Sequence, residues 1–218
     1  MILLILDYGS GNIKSVYNSI KQVLKDNNLN YKIIVSNNIS NINKSDYIIL
    51  PGVGSFGNCM ENLSNKPGLL ENLEEFVFIK KKPFLGICVG MQLIAEYGLE
   101  NGKTNGLGWI EGRVKHLDIQ GNLSKEKLKI PHMGWNNLKF KYNNHPVLEN
   151  ITENEQFYFV HSFALESNNT NQIIASTNYS QKIPAIIGKD NYIGVQFHPE
   201  KSGNSGQKFI YNWLKWCP

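Results

Sequence analysis

The 218-residue sequence contains only three cysteines, Cys59, Cys88 and Cys217, and no two of them form a C-x-x-C pair. Their odd number and wide spacing indicate neither a disulfide framework nor a zinc site, so we expect no bound metal. Few, unpaired cysteines are typical of proteins in a reducing compartment. The sequence therefore predicts a cytoplasmic location.

Long apolar runs and a strong excess of charge are also missing. The apolar opening MILLIL at 1–6 is far too short to span a bilayer, and it lacks the basic leader of a signal peptide. Lys and Arg number 22 against 18 Asp and Glu, a net charge of +4 that is dispersed along the chain. Such a charge does not indicate a nucleic-acid surface. The sequence thus predicts a soluble protein with no membrane and no nucleic-acid partner.

Glycine motifs that cradle phosphates are absent as well. GSGN at 9–12 follows a strand-like run and precedes a helical one, but Lys14 takes the place of the third glycine of G-x-G-x-x-G. No Walker A lysine-serine pair is present either. We interpret GSGN as a turn and expect no cofactor.

What the sequence does contain is an alternation of buried strands and amphipathic helices. The apolar run at 2–6 predicts a strand, and the spacing of Val16, Ile20, Val23 and Leu24 predicts a helix after it. Further segments of the same kinds are YKIIV at 31–35, DYIIL at 46–50 and PFLGI at 83–87, predicted as buried strands, and LLENLEEFVFI at 69–79, predicted as a helix.

After about residue 105 the pattern changes to short strands between turn residues, with a last helix around 205–216. Strand-helix-strand units of the first kind form parallel sheets. No linker, repeat or composition break divides the chain. We therefore predict an α/β fold, one domain over 1–218, with a central mixed, mostly parallel sheet flanked by helices.

Cys88 lies in GICVG at 86–90, where the strand PFLGI runs into a helix. The flanking glycines would let the backbone bend sharply, as in the nucleophile elbow of hydrolases. At the first turn of a helix, the dipole and the backbone amides favour a thiolate, and the backbone N–H of Val89 could hold an oxyanion. The alternative, which this segment alone favours, is a buried cysteine that only fills a tight turn.

A second segment, GVQFHPEKS at 194–202, ends a strand at His198 and places Glu200 two residues later. A carboxylate there can orient the imidazole and stabilise its charged form, while the histidine takes up the proton of a thiol. Taken alone, H-P-E is more often a surface turn. Its coexistence with a glycine-flanked cysteine reverses that interpretation and predicts a catalytic triad of Cys88, His198 and Glu200.

Seven segments, in order along nearly the whole chain, resemble the class I, triad-type glutamine amidotransferases. They are LDYGSGNIKSV at 6–16, PGVGSFG at 51–57, GICVGMQL at 86–93, GLGWIEGRV at 106–114, PHMGWN at 131–136, YFVHSF at 158–163 and GVQFHPEKSG at 194–203. The fold that this resemblance implies is flavodoxin-like. Within the family, the sequence looks most like the glutaminase subunits of imidazole glycerol phosphate synthases, which act in histidine biosynthesis.

The resemblance implies that Cys88 attacks the side-chain amide of the substrate glutamine, giving a γ-glutamyl thioester and ammonia with help from His198 and Glu200. Water then releases glutamate from the thioester. The resemblance also implies that Gln92 helps to hold the substrate glutamine.

By the same resemblance, the PGVG turn supplies a second oxyanion donor beside Val89, through Gly52, Val53 and Gly54. Glycines let backbone amides rotate toward an anion, so this turn could be a switch that a partner completes. For any single glycine, a plain tight turn is the alternative.

The partner that the resemblance implies is a (β/α)8-barrel cyclase subunit, in a heterodimer that passes ammonia through a protected channel. PHMGWN at 131–136 and YFVHSF at 158–163 would meet the cyclase or border the glutamine site, because large side chains with polar tips are favoured at interfaces. Trp135, Tyr158 and Phe163 could instead be core residues.

Alternatives to this interpretation concern both further catalysts and the function itself. His132 and His161 could assist catalysis, but lone histidines are more often structural, and we leave them outside the triad.

The ammonia could instead serve a sugar-amidating enzyme of surface-polysaccharide biosynthesis, as in close paralogues. A regulatory pseudo-enzyme is disfavoured by the intact Cys88, His198 and Glu200. A free-standing hydrolase of γ-glutamyl or peptide substrates is disfavoured by the interface-like segments.

Overall fold

The computed structural model describes residues 1–118, 128–142, 144–216 and 218, so Cys217 lies outside the described residues. The strands are β1 (Ile2–Leu6), β2 (Lys32–Ser36), β3 (Tyr47–Gly52), β4 (Phe84–Cys88), β5 (Ala95–Gly98), β6 (Thr104–Asn105), β7 (Ile110–His116), β8 (His132–Asn137), β9 (Lys139–Phe140), β10 (Gln156–His161), β11 (Phe163–Glu166), β12 (Ile173–Asn178), β13 (Lys182–Lys189) and β14 (Tyr192–Val195). The α-helices are α1 (Ile13–Asp26), α2 (Ile39–Lys44), α3 (Phe56–Ser64), α4 (Leu69–Glu74), α5 (Val89–Leu93) and α6 (Gly203–Lys215).

The central sheet has eight strands in the order β2-β1-β3-β4-β14-β13-β12-β9. Its first five strands are parallel to one another, and the remaining three pairings are antiparallel. This is the mixed, mostly parallel sheet that the sequence predicts. Its parallel half carries the helical crossovers, so the carboxyl ends of β3, β4 and β14 meet at one edge.

Burial along the strands follows their place in the sheet. All residues of β3 and β4 are buried, as expected of central strands with both faces covered. The prediction that YKIIV is a buried strand is wrong, because β2 is the edge strand, and Val35 is 40% exposed. An apolar run predicts a strand, but it does not predict whether a second strand pairs with it on its other edge.

The helices bury the faces that the sequence predicts. In α1, Val16, Ile20, Val23 and Leu24 are buried, and each such side chain contributes about 1.5–3 kcal/mol. The side-chain oxygen of Asn12 accepts from the backbone N–H of Ser15 at 3.4 Å and caps α1, so GSGN leads into the helix through bends at Gly9 and Gly11. No helix in the described part of the chain is long and apolar enough to cross a membrane.

The predicted helix at 69–79 changes character along its length. It begins as α4 and continues as a π-helix, Glu75–Ile79. Short 3₁₀ helices occur at Pro146–Leu148, Thr170–Gln172 and Pro199–Lys201.

Two smaller sheets accompany the central one. β10 and β8 form an antiparallel pair, and β11, β7, β5 and β6 form a four-stranded sheet. In the pair, Phe157 and Phe159 point into the core, whereas Trp135 is 53% exposed and Tyr158 is half-buried. The alternative that Trp135 is a core residue is therefore wrong.

Candidate active site

Three neighbouring strands of the central sheet converge on Cys88. It is the last residue of β4, and the register of β3 pairs Gly52 with it. On the other side, Val195 of β14 pairs with Ile87, so the next residue, Gln196, lies beside Cys88. Ligands of open α/β sheets bind at the carboxyl ends of parallel strands, and Cys88 lies at that edge.

The chain turns sharply at Cys88. Its backbone has φ 55° and ψ −109°, a conformation that residues other than glycine rarely adopt. A Cβ atom on Gly90 would lie 2.0 Å from the carbonyl oxygen of Leu50, and one on Gly52 would lie 2.5 Å from the backbone nitrogen of Gly90. Both positions need glycine, because the end of β3 and the start of α5 touch backbone to backbone. The sharp turn predicted from the glycines is confirmed.

His198 and Glu200 form a buried pair at the same edge of the sheet. The Nδ1 atom of His198 lies 2.8 Å from Oε1 of Glu200, and both side chains are at most 2% exposed. Pro199 begins the 3₁₀ helix that turns the carboxylate back toward the imidazole. The backbone N–H of His198 donates to the carbonyl oxygen of Tyr158 at 2.9 Å, which fixes the position of the histidine.

The imidazole of His198 holds its proton more tightly than a free histidine does. Burial lowers the pKa of His198, but hydrogen bonds to the Cys88 sulfur and to Glu200, together with the electrostatic interaction with both groups, raise it to about 9. At neutral pH the ring is therefore an imidazolium between Cys88 and Glu200. This is the protonation state that can donate to a leaving amine.

Cys88 and His198 line a cavity of about 340 Å³, which is within the size range of small-molecule sites. Of the residues predicted to hold the substrate or an oxyanion, Val53, Gly54, Val89 and Gln92 line this cavity. Gly52 is not among the described residues that line it, and packs against the start of α5 instead. The other lining residues are Cys88, Glu100, Pro131, Val160, His161, Ser162, Phe163, His198 and Lys201.

Val53 and Gly54 of the PGVG turn border the cavity. The carbonyl oxygen of Val53 accepts from the thiol of Cys59 at 3.5 Å, which holds the turn in its present orientation. Gly54 has φ 106°, and the space where a Cβ would lie is open. Because glycine tolerates φ of either sign, the backbone at Gly54 is less restricted than it would be at a residue with a side chain.

Two polar residues of the site were not singled out by the motifs. Gln196 is completely buried beside Cys88, and Glu100 contributes a carboxylate whose Oε2 accepts from the backbone N–H of Phe56 at 2.7 Å. The sequence does hold a signal for Gln196, since a strand predicted to end at His198 would put residue 196 on the same face, two residues earlier. Glu100 lies in the loop after β5, where neither a motif nor a periodicity marks it.

His132 and His161 form a separate buried pair. Nδ1 of His132 lies 3.0 Å from Nε2 of His161, and the His132 ring stacks on the rings of Phe159 and Tyr179. Burial lowers the pKa of His132 to about 4 and, together with the neighbouring His132, lowers the pKa of His161 to about 3. Both rings are neutral at neutral pH and hydrogen-bonded, while His161 also lines the cavity. Their place outside the triad stays a prediction.

Acid is expected to destabilise the fold through His132. Its pKa is 6.5 in the unfolded chain and about 4 in the fold, so the stability present above pH 6.5 is lost as the pH falls toward 4. In the wild type, the free energy of unfolding measured in urea should fall between pH 7.5 and pH 4.5. We expect this fall to be about 2 to 3 kcal/mol smaller in His132→Phe. Phenylalanine keeps the stacking on Phe159 and Tyr179. An identical pH dependence in both proteins would contradict this prediction.

A larger cleft, of about 580 Å³, shares no lining residue with the site around Cys88. Four lysines line it, and no cysteine or histidine occurs among its described lining residues. Volume alone would favour this cleft as the functional site. The side chains favour the smaller cavity, because Cys88 and His198 line it and Glu200 is bonded to His198.

The fold and the site define an α/β protein that carries a cysteine, a histidine and a carboxylate at the carboxyl ends of its parallel strands. Residues 4–216 match the family Glutamine amidotransferase class-I. The chain belongs to this family, as its resemblance in sequence predicts.

Within the family, the chain is similar over its full length to imidazole glycerol phosphate synthase subunits HisH. It is 40% identical to that of Rhodospirillum rubrum over 218 residues, which are 100% of both chains. It is 44% identical to that of Pelagibacter ubique over 214 residues, 98% of this chain and 99% of the relative.

Solved structures confirm the predicted fold. A glutamine amidotransferase structure has a TM-score of 0.69 and 14% identity, over 99% of this chain and 98% of that one. A glutamine amidotransferase of Thermotoga maritima has a TM-score of 0.59 and 13% identity, over 99% of this chain and 83% of that one.

Proposed function

We propose that residues 1–218 form one glutamine amidotransferase domain that acts as the glutaminase subunit of imidazole glycerol phosphate synthase. It hydrolyses glutamine and delivers ammonia to a cyclase subunit for histidine biosynthesis. The observation that carries this proposal is the meeting of Cys88 with the His198–Glu200 pair, in a chain similar over its full length to subunits HisH.

Cys88 is the proposed nucleophile. Its thiolate attacks the side-chain amide carbon of glutamine, and the carbon–nitrogen bond of the tetrahedral intermediate then breaks. The nitrogen leaves as ammonia with a proton from the His198 imidazolium. Water attacks the thioester, His198 takes a proton from it, and glutamate departs as the thiolate re-forms. Glu200 keeps the imidazole in one tautomer and stabilises its charge in both steps.

The backbone around Cys88 supports a site for the oxyanion. The N–H of Val89 directly follows the nucleophile at the start of α5, and the turn with Val53 and Gly54 lines the same cavity. We assign the first oxyanion donor to Val89 and the second to that turn. Gly52 contributes by letting β3 lie against α5 at a distance that a Cβ would forbid.

Gln92 and Glu100 are suited to hold the other end of the substrate. Both line the cavity, and Gln92 lies one helical turn after Cys88. Amide and carboxylate oxygens accept hydrogen bonds from an ammonium group, which free glutamine carries on its α-carbon. Glu100 would supply a negative charge opposite that group.

The outer face of the β8–β10 pair supports a protein partner. Met133 is 61% exposed and Trp135 is 53% exposed, with Tyr158 edge-on to Trp135 at 5.9 Å between ring centroids. Val160 lies on the same strand face and lines the cavity. Exposed large apolar residues next to a site are typical of an interface, and we assign this one to the (β/α)8-barrel cyclase. Direct transfer across it would keep ammonia unprotonated and reactive.

The competing acceptor is a sugar-amidating enzyme. Full-length similarity to imidazole glycerol phosphate synthase subunits, at 40% identity or more in the two relatives above, favours the cyclase. The two cysteines of the described chain segments, Cys59 and Cys88, are free thiols, which suits the reducing cytoplasm where we place the protein.

Glutamate release from glutamine tests the proposal. The purified chain is assayed alone and with the cyclase from the same organism, with and without the nucleotide substrate of the cyclase. We expect the cyclase and its ligand together to raise the rate by about 10²-fold, the effect of completing one oxyanion donor. No complex and no stimulation would reject the cyclase in favour of a sugar-amidating partner. Full activity of the isolated chain would instead indicate a free-standing hydrolase.

A further inference from the structure

Gln196 is a completely buried amide that contacts the proposed nucleophile. Its Nε2 atom lies 3.8 Å from Sγ of Cys88, and its Oε1 atom accepts from Nε2 of Gln92 at 3.0 Å. The register explains this location, because Gln196 follows β14 where that strand runs beside the end of β4. The side chain therefore connects the nucleophile to a residue proposed to hold the substrate.

The neighbours of Gln196 decide which end of its amide faces the sulfur. Nε2 of Gln92 also donates to the backbone carbonyl oxygen of Phe163 at 2.9 Å, and a carbonyl oxygen can only accept. The nitrogen of Gln92 is thereby assigned, so the atom of Gln196 that meets it must be the acceptor, Oε1. The donor Nε2 of Gln196 then faces Cys88. Both N–H groups of Gln92 are engaged, and its oxygen is the end that can accept from a substrate.

We propose that Gln196 is a further catalytic residue, which stabilises the Cys88 thiolate by a hydrogen bond and orients Gln92 to accept from the substrate. A buried amide N–H without a good acceptor is costly. The sulfur of a neutral thiol is a weak acceptor, whereas an ionised acceptor forms a stronger hydrogen bond. The buried donor is therefore best satisfied when Cys88 is ionised. This inference rests on the proposed function, in which Cys88 is the nucleophile.

Alkylation of Cys88 tests the contact without substrate and without a partner. In the full-length chain, Gln196→Met keeps the approximate size of the side chain but removes its donor and its acceptor. We expect iodoacetamide to modify Cys88 about tenfold more slowly than in the wild type at pH 7, as for the loss of a hydrogen bond to a charged group. The whole rate profile should move to higher pH. Mass spectrometry of the Cys88 peptide separates this reaction from that of Cys59.

Thr177→Val is the matched control. Thr177 is also completely buried and would lose one side-chain hydrogen bond, to the carbonyl oxygen of Asn137 at 2.8 Å, without contact to Cys88. Its alkylation should match the wild type. A wild-type rate and pH profile in folded Gln196→Met would overturn the proposal.

A second variant keeps the inference testable if the first does not fold. Gln196→Glu retains an acceptor for Gln92 but replaces the donor by an oxygen that repels a thiolate once it is ionised. We expect slower alkylation of Cys88 than in the wild type at pH 8. An unchanged rate in this variant would also overturn the proposal.

Kinetics in the complex with the cyclase separate this inference from the proposed function. Gln196→Met should lower kcat about tenfold and raise KM for glutamine, since both the thiolate and Gln92 lose a partner. Wild-type kcat and KM in that variant would overturn the inference alone. A wild-type chain without glutaminase activity would reject the proposed function, and the alkylation experiment would still decide whether Gln196 acts on Cys88.

Discussion

Replacement of Cys88 by serine is expected to lower the rate of glutamate release by at least about 10⁴-fold. The imidazolium of His198 stabilises a thiolate, but a serine hydroxyl at the same place stays un-ionised, so the amide of glutamine meets no effective nucleophile. The rate is measured as glutamate formed per minute in the complex with the cyclase and its nucleotide substrate, where wild-type activity is highest.

Loss of the fold would mimic loss of the nucleophile, so Cys88→Ser needs a structural control. The exchange of sulfur for oxygen is small, and the strained turn keeps the glycines that let it form, Gly52 and Gly90. We expect the melting temperature and the affinity for the cyclase to stay close to those of the wild type. More than about 1% residual activity in a folded, partner-bound variant would show that Cys88 is not the nucleophile.

The first half of the fold could be predicted because its signals are local. A continuous apolar run specifies β1 at its observed bounds, and helical spacing specifies the buried face of α1. The position of a strand in the sheet is not local, since it depends on which strands pair on either side. The sequence therefore failed to show that β2 is an edge strand, and that β8 and β10 form a sheet of their own.

In the candidate site, too, local features could be predicted from the sequence and contacts between distant segments could not. The glycines around Cys88 and the H-P-E turn at His198 are short motifs with a chemical meaning, and both could be found in the sequence. Their meeting across more than a hundred residues depends on the parallel pairing of β14 with β4. Gln196 enters the site through that pairing and Glu100 through a loop. Gln196 lies inside the segment GVQFHPEKS without a role of its own assigned to it, and no motif marks Glu100.

Gly52 illustrates a further limit of prediction from the sequence. The resemblance assigns it to the oxyanion turn, where backbone freedom is the property that glycine supplies. The structure adds a different requirement, because a Cβ on Gly52 would lie 2.5 Å from the backbone nitrogen of Gly90. Such a close approach of two backbones is a tertiary contact, which no local pattern around residue 52 can reveal.

Replacement of Glu200 by glutamine is expected to lower kcat for glutamate release by about 10³-fold or more while leaving the fold intact. Oε1 of Glu200 lies 2.8 Å from Nδ1 of His198, and Oε2 is buried with no hydrogen-bond partner in the described part of the chain. A glutamine can keep an oxygen on Nδ1 and place its NH₂ group at the second position. It cannot supply the negative charge which, against the effect of burial, helps to raise the pKa of His198 to about 9.

The pH dependence separates this charge effect from a loss of packing. In the wild type the imidazolium persists to about pH 9, whereas in Glu200→Gln the pKa of His198 falls, so the alkaline limb of kcat should move to lower pH. The free energy of unfolding also depends on pH through His198. Its folded-state pKa lies above the unfolded value of 6.5, so the protonated ring stabilises the fold fully below pH 6.5 and ceases to do so as the pH rises through about 9. The two proteins should thus differ most in urea unfolding near pH 6 and least above pH 9. An alkaline limb at the wild-type position would mean that Glu200 contributes shape to the site and not charge to His198.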